Sequence, residues 1–163
     1  MIEDKAQVLW VDDDDPERFV YERFKLQKEG FFVTWARDVE EAASLLASQK
    51  FDAMILDQMI AGNGVDEQYV IWAGCTLLQW LRGAPPSQRQ PERAWPKLSR
   101  ITALEQNRHL PVAILSAYHD PEVLRAIYSA SDQDKKPLFF GKPVNDRELL
   151  EFLRGACPKQ KTA

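Results

Sequence analysis

The sequence predicts an α/β fold: a five-stranded parallel sheet with helices on both faces, interrupted by an insertion between strands 3 and 4. Short apolar runs alternate along the chain with segments of helical periodicity. The apolar runs are nearly continuous, as in strands that are covered on both faces. The chain has 163 residues, enough for one domain with a substantial core. Such an alternation is typical of parallel strands joined by crossover helices.

The first half of the chain alternates regularly. Asp15 followed by Pro16 predicts a helix start, because an N-cap residue precedes a proline in the first turn. Gly30 is expected to end that helix, and Asp38 is expected to cap the next one. The predicted strands of this half are residues 7–11, 31–35 and 51–56.

The second half is interrupted by insertions at about residues 62–72 and 83–108. The second insertion contains four prolines, which disfavour regular structure in its first part. We predict one domain over residues 1–155 and a flexible C-terminal tail over residues 156–163. The remaining predicted elements are helices at 74–81 and 99–107, helices beginning near Pro121 and Asn145, and strands at 111–115 and 137–141.

Composition narrows the classes of function. The net charge of −4 argues against general nucleic-acid binding. The basic second insertion, which contains Trp95, is expected to be a solvated loop, with binding of a partner or of nucleic acid as the alternative. Cys75 and Cys157 lack metal-ligand spacing and are expected to be free thiols of a reducing compartment. No signal peptide or membrane span is evident, so a cytoplasmic location is expected.

Polar residues follow the ends of four predicted strands. Asp12 and Asp13 follow the first strand, Asp57 the third, Ser116 the fourth and Lys142 the fifth. Because the carboxyl ends of parallel strands line one crevice, these groups are expected to meet there. Magnesium prefers oxygen ligands and uses one or two carboxylates together with phosphate oxygens. The pattern therefore predicts magnesium and phosphate chemistry, with Asp57 as an oxygen nucleophile and Lys142 as the balancing cation.

These motifs resemble those of the receiver domains of two-component response regulators. The resemblance covers roughly residues 6–155 and implies a flavodoxin-like sheet of strand order 2-1-3-4-5. The stretches that carry it are VLWVDD at 8–13, FDAMILD at 51–57, ILSA at 114–117 and FFGKP at 139–143.

The resemblance implies that Asp57 accepts a phosphoryl group from a partner histidine kinase or phosphotransfer protein. It also implies a Mg²⁺ site, which Mn²⁺ can also fill. Asp13 would bind the metal directly, Asp12 would act through water, and the backbone carbonyl of Met59 would complete the protein ligands. A downstream output protein would bind the face formed by residues 121–154. On this reading the chain is a phosphoacceptor signalling domain and not an enzyme with turnover.

The resemblance also implies residues that respond to the phosphoryl group. Ser116 takes the place of the switch hydroxyl, Phe139 that of the switch aromatic, and Lys142 that of the phosphoryl-binding lysine. Phe139 is expected to belong to the core in any case, and the Lys142-Pro143 bond is one that is often cis in the family. The bulky side chains of Met59 and Tyr118 are expected to slow self-dephosphorylation by shielding the phosphoryl group from water.

The chain also departs from the family pattern. The acidic run has four aspartates, so Asp14 and Asp15 are interpreted as loop or cap residues. Ala61 stands where a proline is usual, and the insertions raise the question of access for the kinase. Two alternatives stay open: a receiver-shaped scaffold that works without phosphate, and a magnesium-dependent phosphatase. The phosphatase is disfavoured because no Ser or Thr follows the acidic run closely.

Overall fold

The computed structural model describes residues 5–61, 73–83, 98–117 and 137–158, and within them it contains a five-stranded parallel sheet. The strand order is β2-β1-β3-β4-β5, as expected from the resemblance. The flanking strands β2 and β5 each pair on one side only among these strands. The strands are β1 (Ala6–Val11), β2 (Phe31–Ala36), β3 (Ala53–Asp57), β4 (Val112–Ser116) and β5 (Leu138–Gly141).

Helices cover both faces of the sheet. A 3₁₀ turn, Pro16–Phe19, precedes the first helix, and Asp15 caps that turn as predicted. Asp38 and Asn145 cap the second and the last described helix with their side-chain oxygens. The predicted helix beginning at Pro121 lies outside the described residues. The described helices are α1 (Val20–Lys28), α2 (Val39–Ser48), α3 (Ala73–Arg82) and α4 (Asp146–Ala156).

The core forms two clusters, one on each side of the sheet. One cluster packs α2 and α3 against side chains such as Leu9, Met54 and Ile114. The other packs α1 and α4 against Trp10 and Ile55. Burial on both faces explains the continuous apolar runs, because every residue of β3 and β4 is buried.

Strand register brings the polar strand ends to one edge of the sheet. Leu56 of β3 lies opposite Val11 of β1, and Asp57 lies opposite Leu115 of β4. Ser116 lies opposite Gly141 of β5, one residue before Lys142. Asp57 and Ser116, the last residues of β3 and β4, therefore reach the same crevice at the carboxyl edge as Asp12 and Lys142, which directly follow β1 and β5.

The helix predicted over residues 99–107 is wrong. The structure has two 3₁₀ turns, Leu98–Arg100 and Glu105–Asn107, with non-helical backbone between them. The indole Nε1 of Trp80 donates to the carbonyls of Leu98 and Ile101, and the backbone N–H of Leu104 donates to the carbonyl of Leu46. These contacts with α2 and α3 replace the hydrogen bonds that a continuous helix would make.

The predicted start of the tail is also too early. α4 continues through Ala156, and Cys157 is buried against the core. Its backbone N–H donates to the carbonyl of Leu153, 2.9 Å away. Residues 159–163 lie outside the described part of the chain.

The second insertion ends at the amino edge of the sheet, opposite the crevice. The buried side chain of Asn107 accepts from the N–H of Phe51 and donates to the carbonyls of Leu46 and Gln49 at the end of α2. The guanidinium of Arg82 donates to the carbonyls of Arg108 and Leu110 just before β4. Both ends of this insertion are thus fixed away from the carboxyl edge.

Candidate functional site

Backbone hydrogen bonds extend the sheet into the crevice. The N–H of Asp12 donates to the carbonyl of Ala36, 3.0 Å away, and so continues the pairing of β1 with β2. The N–H of Lys142 donates to the carbonyl of Ser116, also 3.0 Å away, and so continues β4 with β5. Asp12 and Lys142 are therefore held by regular backbone geometry rather than by free loops.

The ammonium group of Lys142 lies between two buried carboxylates. Its Nζ is 3.0 Å from Oδ2 of Asp12 and 3.0 Å from Oδ2 of Asp57. Asp12 is fully buried and Asp57 is 6% exposed. Oδ2 of Asp14 lies 4.0 Å from the same Nζ, although the sequence suggested only a loop role for Asp14. One lysine thus faces three carboxylates and can balance the charge of only one of them.

Backbone donors orient the carboxylates. The N–H of Met59 donates to Oδ1 of Asp57 at 3.3 Å, and the N–H of Ala61 donates to Oδ2 of Asp13 at 3.0 Å. The N–H of Asp14 donates to Oδ1 of Asp12 at 3.0 Å. The loops after β1 and β3 are therefore joined by a hydrogen bond through Asp13.

Crowding and burial change the ionisation of this group. Burial, followed by the negative charge of Asp12, raises the pKa of Asp57 to about 6, against the opposing effect of Lys142. Burial also raises the pKa of Asp12. Burial disfavours the charged form of Lys142, but the two carboxylates outweigh this effect and raise the pKa of its ammonium group. The site therefore holds more negative charge than one lysine comfortably balances.

The donor set fits a divalent metal ion. Asp12, Asp13 and Asp57 each offer a carboxylate oxygen, and these three oxygens lie within 4.8 Å of one another. Hard oxygen ligands of this kind suit Mg²⁺, which keeps several waters when only a few protein ligands are present. After burial, the negative charge of Asp12 raises the pKa of Asp57, so a bound cation would relieve repulsion between these carboxylates.

The other predicted site residues differ in how deeply they are buried. Ser116 is buried at the end of β4, within the crevice. Phe139 is 43% exposed, so the expectation that it belongs to the core is wrong: β5 is a flanking strand of the sheet. The side chain of Met59 is 42% exposed beside Asp57. Tyr118 lies outside the described residues.

Two residues that the sequence did not single out support the site. The indole Nε1 of Trp35 donates to the carbonyl of Asp12 at 3.1 Å, and its ring stacks on that of Trp10. Gly74 begins α3 so close to β3 that an added Cβ would lie 2.4 Å from the carbonyl oxygen of Asp57. A glycine at the start of a predicted helix was the available signal, because glycine permits such close backbone approach.

Comparison with known proteins gives the same curated protein from two bacterial strains, and many similar solved structures. The sensory/regulatory protein RpfC of Xanthomonas campestris is 28% identical over 148 residues, which cover 90% of this chain. The chain spans only 16% of the length of that relative. No protein-family model matches the chain.

The related structures are receiver domains. The Francisella response regulator 1452 receiver domain superposes with a TM-score of 0.65 at 22% identity, covering 96% of this chain and all of that one. The receiver domain of a Pseudomonas aeruginosa sensor histidine kinase, solved with a magnesium ion in its active-site cleft, has a TM-score of 0.60 at 18% identity, covering 94% and 98%. The chain therefore has the fold of response regulator receiver domains, as the sequence motifs predicted.

None of the helices in the described residues is long and apolar enough to cross a membrane.

Proposed function

We propose that this chain is a receiver that accepts a phosphoryl group on Asp57 and passes the signal to a partner protein. The observation that carries the proposal is the pair of 3.0 Å contacts from Lys142 to Asp12 and Asp57 at the carboxyl edge of the sheet. A carboxylate held beside a lysine and two further carboxylates can be both a nucleophile and a magnesium ligand.

The proposed reaction transfers phosphorus from nitrogen to oxygen. A carboxylate oxygen of Asp57 attacks the phosphorus of a partner's phosphohistidine, the new O–P bond forms, and the N–P bond breaks. The imidazole leaves and takes up a proton. Lys142 then neutralises a phosphoryl oxygen as a point charge, and Ser116 donates a hydrogen bond to another. The chain carries the phosphoryl group as a signal and turns over no other substrate.

Asp12, Asp13 and Asp57 would hold the metal, with the backbone carbonyl of Met59 as a further ligand. When bound, a divalent cation such as Mg²⁺ neutralises charge on the transferred phosphoryl oxygens. The three carboxylate oxygens within 4.8 Å of one another support this assignment. Mn²⁺ is an alternative ion, because it shares the preference for oxygen ligands.

The phosphoryl group would change a surface remote from Asp57. It adds about −1.5 to −2 charge beside Ser116 and Lys142. We place the output surface on the face of residues 121–154, where Leu138 and Phe139 of β5 are exposed. Phe139 would carry the change, since Gly141 of the same strand pairs with Ser116. Cys157 is a buried thiol outside any disulfide, which fits a reducing compartment, so we place the protein in the cytoplasm.

The test is incubation with acetyl phosphate and magnesium chloride, followed by intact mass and peptide mapping. We expect one phosphoryl adduct on Asp57, and none after Asp57→Asn or without the metal. Asp15→Asn is the matched control, because Asp15 only caps the 3₁₀ turn and asparagine caps equally well. An unmodified wild-type chain would contradict the proposal and favour a scaffold that works without phosphate.

The lifetime of the phosphoryl adduct tests the expected rate of self-dephosphorylation. We expect slow self-dephosphorylation, because the side chains of Met59 and Tyr118 would shield the phosphoryl group from water. Met59→Asn and Tyr118→Ala should each shorten the lifetime. Lifetimes equal to that of the wild type would show that these two positions do not control access of water.

A further inference from the structure

The loops that carry the proposed metal ligands are joined by one hydrogen bond. The backbone N–H of Ala61 donates to Oδ2 of Asp13 at 3.0 Å, although the two residues are 48 positions apart in the chain. Asp13 belongs to the acidic run after β1, and Ala61 lies four residues after Asp57, the last residue of β3. Since β1 and β3 are neighbouring strands, this bond closes a link across one side of the crevice.

Asp13 is held differently from the other two carboxylates of the cluster. Asp12 and Asp57 are buried, and each lies 3.0 Å from the ammonium group of Lys142. Asp13 is exposed, and no basic side chain within the described ranges forms an ion pair with it. Within those ranges, the direction of its carboxylate is therefore fixed by the N–H of Ala61.

This hydrogen bond is compatible with a metal ion on the same carboxylate. A carboxylate offers about four lone-pair positions, and a single N–H uses one of them. One oxygen of Asp13 lies within 4.8 Å of carboxylate oxygens of Asp12 and Asp57. The N–H and a cation can therefore bind Asp13 together, as outer hydrogen bonds and metals commonly do at metal sites.

The identity of residue 61 decides whether the donor exists. Proline has no backbone N–H, so a proline at this position could not make the bond to Asp13. Proline is usual here in the receiver pattern, whereas this chain has alanine. The side chain of Ala61 is a methyl group with no polar atom, so the contribution of this residue to the crevice comes from its backbone.

We propose that the N–H of Ala61 positions Asp13 and thereby raises the affinity of the site for Mg²⁺. The inference rests on the metal site of the proposed function. An exposed side chain that becomes ordered on binding reduces the affinity, and a side chain that is ordered beforehand avoids this loss. Removing a hydrogen bond to a metal ligand weakens metal binding by about 10–100-fold. Because water competes for the exposed carboxylate of Asp13, we expect the lower end, about tenfold.

The first measurement is binding of Mn²⁺ to the full chain, read from the electron paramagnetic resonance of the free ion, with Mg²⁺ as the competitor. Ala61→Pro should weaken binding of both ions about tenfold. Ala61→Ser is the conservative variant, because serine keeps the N–H, and its affinity should match that of the wild type. Equal affinities of Ala61→Pro and the wild type would overturn the proposal.

A double-mutant cycle separates the loss of the donor from the rigidity of proline. In a chain that carries Asp13→Ala the acceptor is absent, so adding Ala61→Pro should weaken metal binding no further. A tenfold effect of Ala61→Pro that persists in this background would show that proline acts through the backbone of the loop. That result would overturn the role of the N–H.

The second measurement needs neither a metal nor a proline, so it holds even if Ala61→Pro does not fold. Hydrogen exchange of the Ala61 amide, followed by nuclear magnetic resonance in the metal-free chain, should become about tenfold faster after Asp13→Ala. The amide of Met59 is the internal reference, because it donates to Asp57 instead. An equal change at both amides would overturn the bond between Ala61 and Asp13.

The two sets of results distinguish this proposal from the proposed function. A wild-type chain that binds neither ion would contradict the metal site itself, and the positioning role of Ala61 with it. Normal metal binding by the wild type, together with an unchanged affinity for Ala61→Pro, would contradict the positioning role alone.

Discussion

Gly74 provides the sharpest test of how the site is held, because replacing it brings a methyl group against the backbone of Asp57. An added Cβ would lie 2.4 Å from the carbonyl oxygen of Asp57 and 3.1 Å from Cα of Gln58. Both contacts are with backbone atoms, which cannot swing aside as a flexible side chain can. The N–H of Gly74 also donates to the carbonyl of Gln58 at 3.1 Å, which holds α3 close to β3.

Two opposing effects set the size of the change for Gly74→Ala. Alanine in a helix is favoured over glycine by about 1 kcal/mol. Inserting a methyl group into a packed region costs about 1–3 kcal/mol, and a contact as short as 2.4 Å places this site at the upper end. We expect a net loss of about 2 kcal/mol in the free energy of unfolding. The loop from Asp57 to Met59 should also shift.

The chain supplies its own control in α4. A Cβ at Gly155 would meet nothing within 4 Å, so Gly155→Ala should stabilise the protein by about 0.5–1 kcal/mol. Urea unfolding at 25 °C, followed by tryptophan fluorescence, measures both variants. The rate of labelling by acetyl phosphate is compared at urea concentrations where the protein remains folded. It should fall at least tenfold for Gly74→Ala and should be unchanged for Gly155→Ala.

The two glycines must respond in opposite directions if close approach is the cause. Stabilisation by both substitutions would show that α3 moves away from β3 without cost. Loss of stability with a normal labelling rate would show that α3 supports the fold but does not position Asp57. Either result would refute the assignment of Gly74 as a positioning residue.

Three further predictions concern stability. Asn107→Ala removes three hydrogen bonds of a buried side chain and should lower the free energy of unfolding, measured in urea, by about 3 kcal/mol. Gln106→Ala changes the exposed neighbouring residue and should leave the free energy of unfolding unchanged. Lys142→Met leaves the buried carboxylates uncompensated and should lower the free energy of unfolding by about 2 kcal/mol. Magnesium chloride should restore part of that loss. If the metal has no effect on the stability of this variant, the assignment of a metal site to these carboxylates is contradicted. Burial, with a smaller effect from the charge of Asp52, raises the pKa of the Cys157 thiol from 9.0 to about 11. The unfolded chain therefore loses this proton first, so stability should fall as pH rises above 9, by about 1 kcal/mol at pH 10. Cys157→Ala should lack this fall in a comparison of urea midpoints at pH 8 and pH 10.

The sheet could be predicted because its signals are local. Four of the five strands are apolar runs that end in, or are followed by, a polar residue of the site, and each predicted cap uses a side chain to satisfy free N–H groups. The meeting of Asp12, Asp57 and Lys142 followed from the rule that parallel strands share a carboxyl edge. These inferences need no knowledge of which side chains touch.

The errors arose where distant contacts decide the structure. The segment around Ile101 has helical spacing, but hydrogen bonds to Trp80 and Leu46 hold it in another conformation. Phe139 is apolar, yet it lies on a flanking strand where one side has no neighbour among the described strands. Cys157 lies two residues after Gly155, and only the packing of α4 shows that it is buried.

The second insertion connects to the site through one element. Gly74, in the first turn of α3, lies beside Asp57, and α3 ends at Arg82, whose guanidinium holds the end of the insertion. A helix of ten residues is about 15 Å long, so this insertion is attached well away from Asp57. Its other anchor, Asn107, binds the ends of α2 and the start of β3, again at the amino edge. Through these two anchors, a displacement of the insertion would reach Asp57 by moving α3 or the amino end of β3, and Gly74 is the point at which a shift of α3 would reach the site.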